Sequence, residues 1–401
     1  MPLLRRYCSR FGVLYMTKKI AILGSTGSIG KNALRVVDAL GPQYQIVALS
    51  AHSNVQLLAE QVRRYRPGFV AITDSDCKEN LEKLISDLDI KILAGPEGMV
   101  RIAELEDMDI LLAAVVGAAG LPAILAAGRA GKRLAIANKE PFVIAGELLQ
   151  KTVNKSGSLV LPVDSEHSAV FQAMQAGKRE EVKKIILTAS GGPFRQAGLE
   201  DMQNVTLEQA LSHPVWNMGP KITIDSATMM NKAFEIIEAR WLFDMPVEKI
   251  EVLIHPESIV HSLVEFIDGS VVAQLGEPDM CLPIQYALTY PERVKGITRQ
   301  LKLEQTGTLT FEKPNLEMFR ALSLGFEVAR TGGTTAAVFN AANEAAVEEF
   351  LSGRIKFTNI VELVENCINK HNVKRNPSLE ELLEADAWAR KEVSESVYSL
   401  M

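Results

Sequence analysis

Carboxylate side chains stand in two segments of the chain where they could bind a divalent cation together. Asp164 and Glu166 follow a predicted strand and, two residues apart, are expected to point to the same side of its end. Glu235 lies in a predicted helix, and Glu238 shares its face one turn later. Carboxylate oxygens are the ligands that Mg²⁺ and Mn²⁺ prefer, with Co²⁺ as an alternative, so the pattern predicts a metal site at Asp164, Glu166 and Glu235. His167 has no second histidine or cysteine at ligand spacing, so it does not indicate zinc.

The segment Asp225–Glu235 is predicted to open a helix. Asp225 and Ser226 stand where an N-cap belongs, and Asn231 and Lys232 would then lie close to a helix N-terminus, which stabilises phosphate. The competing interpretation is an ordinary amphipathic helix with a solvated charged face, which these residues alone favour. Motifs elsewhere in the chain change that balance.

A glycine-rich turn near the amino end suits a dinucleotide. Gly24-Ser25-Thr26-Gly27-Ser28-Ile29-Gly30 separates the predicted strand Lys19–Leu23 from a helix that runs to Leu40. Glycines at such a turn let the backbone approach a pyrophosphate, which the helix N-terminus stabilises. The alternative is a tight strand-to-helix turn that binds nothing.

The end of the second predicted strand favours NADP over NAD. It continues as Ser50-Ala51-His52-Ser53-Asn54, and no carboxylate follows before Glu60. NAD-specific folds carry an acidic residue here for the ribose 2′-hydroxyl, and that residue would repel a 2′-phosphate. No arginine stands there either, so the preference rests on the missing carboxylate.

Three further loops carry residues that could contact a substrate. Ala137-Asn138-Lys139-Glu140 follows a predicted strand and so lies at the carboxyl edge of the sheet. Ser190 precedes two glycines, which is typical of a phosphate or oxyanion nest but also of a plain turn. The loop 212–220 carries Trp216 and Met218 between Pro and Gly residues, which indicates a lid or, alternatively, a loop with a buried tryptophan.

The elements that must position these residues predict an α/β chain of several domains. Strands and helices alternate from Lys18 to about Val163, which is typical of a Rossmann-like doubly wound parallel sheet. A central α/β catalytic domain and a carboxy-terminal helical bundle follow, because four helical patterns come after residue 315. The predicted boundaries are 1–17 for a disordered leader or upstream start, 18–163, 164–290, 291–314 for a connection, and 315–401.

Composition excludes several classes of protein. The 401 residues are 47% apolar and 23% charged, as in soluble globular proteins. A net charge of −6 argues against a nucleic-acid binder, and no apolar run is long enough to span a bilayer. Four scattered cysteines without metal spacing indicate free thiols in a reducing cytoplasm.

Taken together and in order, the motifs resemble the 1-deoxy-D-xylulose 5-phosphate reductoisomerase family, from about Lys18 to the C-terminus. The motifs that carry the resemblance are the glycine-rich turn, Ala137-Asn138-Lys139-Glu140, Asp164-Ser165-Glu166-His167-Ser168, Thr188-Ala189-Ser190-Gly191-Gly192, His213-Pro214 with Trp216 and Met218-Gly219, and Asp225-Ser226-Ala227-Thr228 with Asn231-Lys232. The resemblance implies NADPH- and divalent-metal-dependent conversion of 1-deoxy-D-xylulose 5-phosphate to 2-C-methyl-D-erythritol 4-phosphate, in the non-mevalonate (MEP) isoprenoid pathway. It also implies a cytoplasmic homodimer without nucleic-acid or membrane partners.

The resemblance also implies roles for individual residues. The catalytic residues would be Lys139, Asp164, Glu166 and Glu235, the last three also holding the metal. The substrate would contact Lys139, Ser165, Glu166, Ser190, His213, Trp216, Ser226, Asn231, Lys232 and Glu235. NADPH would contact Thr26, Gly27, Ser28, Ile29, Ser53, Asn54, Asn138, Glu140 and Gly219.

The chain departs from the family pattern at three positions, and two rival functions stay open at this point. Many relatives have glycine at His52, some have a basic residue at Ser53, and asparagine is usual at Val215. The first rival is another NADP-linked reductase of a phosphorylated small molecule, such as a semialdehyde dehydrogenase, which needs a cysteine nucleophile; Cys281 has no supporting histidine nearby in sequence. The second is a nucleotide-sensing binding protein, in which three carboxylates, a lysine and a lid would have no purpose.

Overall fold

A computed structural model describes residues 17–212, 215–216 and 218–400, apart from the side chains of Leu199 and Leu400. Residues 1–16 of the predicted leader 1–17, and His213, lie outside the described residues. The first sheet has seven parallel strands in the order β4-β3-β2-β1-β5-β6-β7. The strands are β1 Lys18–Leu23, β2 Tyr44–Ala51, β3 Phe69–Ile72, β4 Lys91–Ala94, β5 Ile110–Ala113, β6 Arg133–Ile136 and β7 Val160–Pro162.

Both faces of this sheet are covered, as a doubly wound fold requires. Along β1, Ile20 and Ile22 belong to one buried cluster while Ala21 and Leu23 belong to another. Successive strand residues point to opposite faces, so neither face meets solvent at β1. The intervening helices are α1 Ser28–Leu40, α2 Val55–Tyr65, α3 Lys78–Leu84, α4 Pro96–Ala103, α5 Leu121–Arg129 and α6 Glu140–Ser156. The predicted Rossmann-like sheet is confirmed.

A second, mixed sheet forms the central region, in the order β11-β10-β8-β9. Strand β10 runs antiparallel to β8 and β11, whereas β8 and β9 are parallel. Asp268-Gly269, a residue pair typical of β-hairpin turns, lies between β10 and β11. The strands are β8 Val182–Ala189, β9 Ile250–Ile254, β10 Val260–Phe266 and β11 Val271–Leu275, and the helices are α7 Ser165–Met174, α8 Leu199–Met202, α9 Leu207–Ala210, α10 Pro220–Ala227, α11 Met230–Leu242 and α12 Cys281–Thr289.

The carboxy-terminal helices pack against helices α6, α10 and α11 of the rest of the molecule. The elements are the short α13 Leu303–Thr306 and then α14 Arg320–Thr331, α15 Thr335–Leu351, α16 Phe357–Lys370 and α17 Leu379–Leu400. Helix α11 contacts α6 on one side and α14 on the other, and α15 contacts α6, α10, α16 and α17. Helix α14 begins only at Arg320, because the Asn315 side chain accepts from the N–H groups of Glu317 and Met318 and forms a turn before the helix.

The predicted helix start at Asp225 and Ser226 is wrong. Both residues lie near the end of α10, which begins at Pro220, and α11 begins only at Met230. Between the two helices Met229 adopts a left-handed conformation, with φ of 63°. Proline at the first helical position starts α10 early, and the Asp225 carboxylate is held by side chains instead of capping a helix. Within the described residues, no helix combines the length and apolar character needed to cross a membrane.

Candidate active site

A cavity of about 510 Å³ lies between the carboxyl ends of the first sheet and the α10–α11 region. Most of the predicted site residues line it together, although they come from distant parts of the chain. They are Gly27, Ser28, Ile29, Asn138, Lys139, Glu140, Asp164, Ser165, Glu166, Ser190, Trp216, Gly219, Ser226, Asn231 and Lys232. Of the other predicted residues, Thr26, Ser53, Asn54 and Glu235 do not line the cavity itself.

The three predicted metal ligands converge beside this cavity, which Asp164 and Glu166 line. Asp164, Glu166 and Glu235 each offer a carboxylate oxygen, and these atoms lie within 4.8 Å of one another. The predicted reason for the convergence of the first two is wrong, because neither is in a strand. Strand β7 ends at Pro162, Asp164 immediately precedes α7, and Glu166 is in the first turn of that helix.

Two buried lysines lie against this carboxylate group. Nζ of Lys139 is 2.9 Å from Oδ2 of Asp164 and donates to Oδ1 of Asn231 at 2.8 Å. Nζ of Lys232 is 3.2 Å from Oε1 of Glu166 and also donates to Glu235. Burial disfavours the Lys139 ammonium, yet Asp164 and Glu235 outweigh it and hold the pKa of Lys139 well above its usual value. Both lysines are therefore cationic, and they partly neutralise the carboxylates.

The ionised form of Glu235 is disfavoured in this group. Burial first, and then the negative charge of Glu166, raise the pKa of Glu235 to about 8. The Asp164 carboxylate is also disfavoured by burial, but the Lys139 ammonium holds the pKa of Asp164 well below its usual range. A divalent cation would stabilise all three in the ionised form, and three converging carboxylate oxygens are a suitable donor set for a hard cation. The residues present therefore fit the predicted metal.

His167 and Glu238 form a second charged layer next to the carboxylate group, and neither residue has a predicted role in the reaction. His167 is fully buried, with Nδ1 3.4 Å from Oε2 of Glu238 and Nε2 3.1 Å from the carbonyl oxygen of Glu235. Burial opposes its charged form, but Glu238 and Asp164 raise the pKa of His167 to about 9. The sequence held a signal for this layer, since His167 and Glu238 each follow a predicted ligand by one helical turn, at i+3.

The described residues predicted to hold phosphate stand at the turn after β8 and on helices α10 and α11. Gly191 and Gly192 both have positive φ, 85° and 66°, so the turn after Ser190 needs glycine. A Cβ on Gly192 would lie 2.8 Å from the carbonyl oxygen of Ser226, which shows how closely this turn approaches the end of α10. Ser190, Ser226, Asn231 and Lys232 all face the same cavity.

The glycine-rich turn has the geometry that backbone approach to a ligand requires. Gly24 has a φ of 78°, and a Cβ on Gly30 would lie 2.3 Å from the carbonyl oxygen of Gly24. Gly27 precedes α1 and makes no side-chain cap, so the first N–H groups of that helix are left for another acceptor. At the end of β2, Asn54 caps α2 by accepting from the N–H of Leu57, and Ser53 is exposed beside it.

Two other predictions concern the lid and the rival nucleophile. Trp216 and Met218 line the cavity, as a lid would require. Cys281, the cysteine of the rival mechanism, is fully buried at the start of α12. Burial and the neighbouring Asp279 raise the pKa of Cys281 to about 11, so it is unsuited to nucleophilic attack at neutral pH.

Comparison with known proteins agrees with the site. Residues 20–146 match the model of 1-deoxy-D-xylulose 5-phosphate reductoisomerase, residues 160–243 its C-terminal domain model, and residues 275–392 the DXP reductoisomerase C-terminal domain model. Curated reductoisomerases of this name from Thermodesulfovibrio yellowstonii and Pelodictyon phaeoclathratiforme are 50% and 51% identical over 374 residues, which is 93% of this chain and 98% of each relative.

Solved structures agree over the same length. The Zymomonas mobilis reductoisomerase in complex with NADPH has a TM-score of 0.90 and 41% identity, over 95% of this chain and 99% of that one. A DOX-P reductoisomerase in complex with NADPH, fosmidomycin and magnesium has a TM-score of 0.91 and 42% identity, over 96% and 99% of the two chains. These matches confirm the predicted activity, an NADPH- and divalent-metal-dependent oxidoreductase of isoprenoid biosynthesis, and set both rival functions aside. This chain belongs to the 1-deoxy-D-xylulose 5-phosphate reductoisomerase family.

Proposed function

We propose that the cavity converts 1-deoxy-D-xylulose 5-phosphate to 2-C-methyl-D-erythritol 4-phosphate, with its metal ligands at α7 and α11 and its phosphate contacts on α10, on α11 and at the turn after Ser190. The observation that carries this assignment is the convergence of Asp164, Glu166 and Glu235 beside a glycine-rich cofactor turn. Carboxylates and lysines beside one cavity match a substrate that carries both vicinal oxygens and a phosphate.

Asp164, Glu166 and Glu235 would hold the divalent cation. When bound, the cation supplies a Lewis acid for the carbonyl and hydroxyl oxygens of the substrate. Ser165 would contact the reacting carbons of the sugar, and its hydroxyl already donates to Oε2 of Glu166 at 2.6 Å. Lys139 would place an ammonium beside the same atoms, since Asp164 and Asn231 fix its position.

The phosphate, a group that takes no part in the bond changes, would bind at the turn after Ser190 and along helices α10 and α11. Ser190 and Ser226 offer hydroxyl groups, Asn231 offers an amide, and Lys232 offers a cation, with His213 as a further predicted contact. Binding energy from this remote group can orient and enclose the reacting end of the sugar, which benefits the chemical step as well as affinity.

NADPH would lie along the carboxyl edge of the first sheet. When bound, it supplies the hydride that reduces the rearranged carbon skeleton. Its pyrophosphate would meet the N-terminus of α1, where Thr26, Gly27, Ser28 and Ile29 stand, and its 2′-phosphate would meet Ser53 and Asn54. The remaining predicted contacts are Asn138, Glu140 and Gly219, all of which line the cavity.

The assembly and location of the enzyme belong to the same proposal. We propose a homodimer that uses the edge strand β11, whose residue Val271 is 52% exposed beside Ile267 at 67%. An edge strand with exposed apolar residues and unpaired backbone groups favours pairing with another chain. A cytoplasmic location is supported by the free thiols of Cys77, Cys281 and Cys367. The domain boundaries predicted from the sequence stay a prediction; helix α12, inside the range 164–290, packs against α1.

The test is direct turnover. We expect the purified protein to oxidise NADPH with 1-deoxy-D-xylulose 5-phosphate only when Mg²⁺ or Mn²⁺ is present, with 2-C-methyl-D-erythritol 4-phosphate as the product seen by ³¹P and ¹³C NMR. Undiminished turnover in excess chelator would remove the metal assignment. For the assembly, light scattering should report twice the chain mass, and Val271→Lys should shift it toward a monomer.

A further inference from the structure

We propose that Asn343, on helix α15 of the carboxy-terminal region, is a positioning residue for the substrate's phosphate, acting through Asp225. The inference rests on the proposed role of Ser226 in holding that phosphate. Neither Asn343 nor Asp225 had a predicted role in the reaction, and Asn343 lies far along the chain from every proposed substrate contact.

The contact itself is a buried hydrogen bond between the two regions. Nδ2 of Asn343 donates to Oδ1 of Asp225 at 2.8 Å, across 118 residues of sequence. Asn343 is fully buried and Asp225 is 2% exposed. Because an ionised carboxylate only accepts hydrogen bonds, the amide must present its nitrogen, which fixes the orientation of the Asn343 side chain.

The second oxygen of Asp225 extends the network to the cofactor side. Nζ of Lys221 is 2.7 Å from Oδ2 of Asp225 and 3.5 Å from Oε1 of Glu140. Lys221 also lies over the ring of Phe234, 4.9 Å from its centroid. Both oxygens of Asp225 are thus held, one from its own helix and one from α15.

Simple packing does not account for an asparagine at this position. The buried residues near it on α15 include the small, apolar Ala341, Ala342 and Ala346. Oδ1 of Asn343 has no hydrogen-bond partner among the residues that the structure describes, and an unmet buried carbonyl is unfavourable. An apolar side chain would avoid that cost. We therefore infer that the role of Asn343 is the hydrogen bond that its Nδ2 donates to Asp225.

The contacts of Asp225 fix the last turn of α10, and Ser226 is the next residue in that turn. This turn is confined on its other side by Gly192, whose added Cβ would meet the Ser226 carbonyl oxygen at 2.8 Å. Beyond it, the left-handed Met229 turns the chain into α11. The position of the Ser226 hydroxyl in the cavity therefore depends on Asn343 from one side and on the glycine turn from the other.

The experiment compares Asn343→Leu with the matched control Asn340→Leu. Asn340 is equally buried on the same helix, but its Nδ2 donates to Glu344 and not to Asp225. We expect Asn343→Leu to raise the KM for the phosphorylated substrate by about 2- to 30-fold, the range for residues that touch neither ligand. Turnover of unphosphorylated 1-deoxy-D-xylulose and the Kd for NADPH should stay within about two-fold of their original values. The reason is that the substitution leaves the contact between Lys221 and Glu140 in place. Asn340→Leu should leave all three quantities unchanged.

Two further variants separate the possible failures. Ser226→Ala is measured with both substrates in parallel: if it does not discriminate by phosphate, the proposed role of Ser226 is wrong. If Ser226→Ala discriminates and Asn343→Leu does not, the positioning inference is overturned. The single variant Asn343→Asp places two buried carboxylates together and should raise KM. The double variant Asp225→Asn with Asn343→Asp again pairs a donor with an acceptor, so its KM should be lower than that of the single variant. An exchange no better than that single variant also contradicts the inference.

Discussion

Nζ of Lys232 lies 3.2 Å from Oε1 of Glu166, so a lysine predicted to hold phosphate is paired with a predicted metal ligand. The same ammonium donates to Glu235, and these carboxylates raise the pKa of Lys232 although burial opposes its charge. Lys232 lines the cavity as well, so this proposed phosphate contact adjoins the metal ligands.

This pairing gives Lys232→Ala two opposite effects. Loss of the cation should strengthen metal binding, because three carboxylates would then share one less positive charge. Use of the phosphorylated substrate should fall by about 10- to 150-fold, equivalent to the roughly 1.5–3 kcal/mol of a charged hydrogen bond. Calorimetry with Mn²⁺ and steady-state kinetics measure the two effects separately. Equal losses for phosphorylated and unphosphorylated sugars would show that Lys232 does not hold phosphate.

Glu235→Gln should abolish turnover and weaken Mn²⁺ binding by more than about 100-fold. Mutation of a residue that only hydrogen-bonds to a metal ligand already lowers metal affinity by about 10- to 100-fold, and Glu235 is a proposed ligand itself. NADPH should still bind, because its proposed site lies on the first sheet. The matched control is Glu238→Gln, one turn further along α11 and behind the ligand group. The opposite pattern, with metal lost only in Glu238→Gln, would place the cation at Asp164, His167 and Glu238 instead, the other cluster within ligand distance.

The cofactor preference rests on a missing charge beside Ser53. The unaltered enzyme should use NADPH in preference to NADH. Ser53→Asp should lower the kcat/KM for NADPH by about 10-fold, or about 1.4 kcal/mol of repulsion between exposed charges, and leave NADH less affected. Ser53→Asn is the neutral control of the same size. Equal efficiency of the unaltered enzyme with both cofactors would contradict the inference from the missing carboxylate.

Trp216 should contribute to the chemical step and not only to binding. An indole over the sugar would exclude water from the metal end, and dry surroundings strengthen electrostatic contacts there. Trp216→Ala should therefore lower kcat and raise KM together, with NADPH affinity nearly unchanged. Proteolysis within residues 212–219 should slow when fosmidomycin and Mg²⁺ are bound. Equal cleavage with and without them would mean a fixed loop.

The carboxy-terminal helices should lose stability on the acid side of neutrality. Burial, followed by the Lys374 ammonium, lowers the pKa of His371 from its usual 6.5, and the ring contacts Thr334 and Trp388. The unfolded chain takes up this proton below 6.5 while the folded chain resists it, so the contribution is complete above 6.5 and is lost as pH falls below it. Thermal midpoints between pH 7.5 and 5 should fall less steeply in His371→Gln. An identical slope would show that His371 does not titrate differently on unfolding.

Several features of the fold followed from local patterns alone. Alternating strands and helices predicted the first sheet, and the turn residues Asp268-Gly269 are typical of a hairpin such as the one that pairs β10 with β11. These patterns are reliable because burial on two faces and turn geometry act over a few residues. The helix start at Asp225 was misplaced for the same local reason. An aspartate followed by serine suits an N-cap, and nothing near it in sequence shows that a distant asparagine binds its carboxylate.

The sequence by itself determined the chemistry of the site: which carboxylates, lysines and glycines are present, and in what order, which was enough to identify the family. Only the tertiary structure decided the partners of each group. Lys139 meets Asn231 across 92 residues, and Asn343 meets Asp225 across 118. Side-chain spacing along one helix or strand carries no information about such pairs, because packing of whole elements, and not local propensity, brings them within hydrogen-bonding distance.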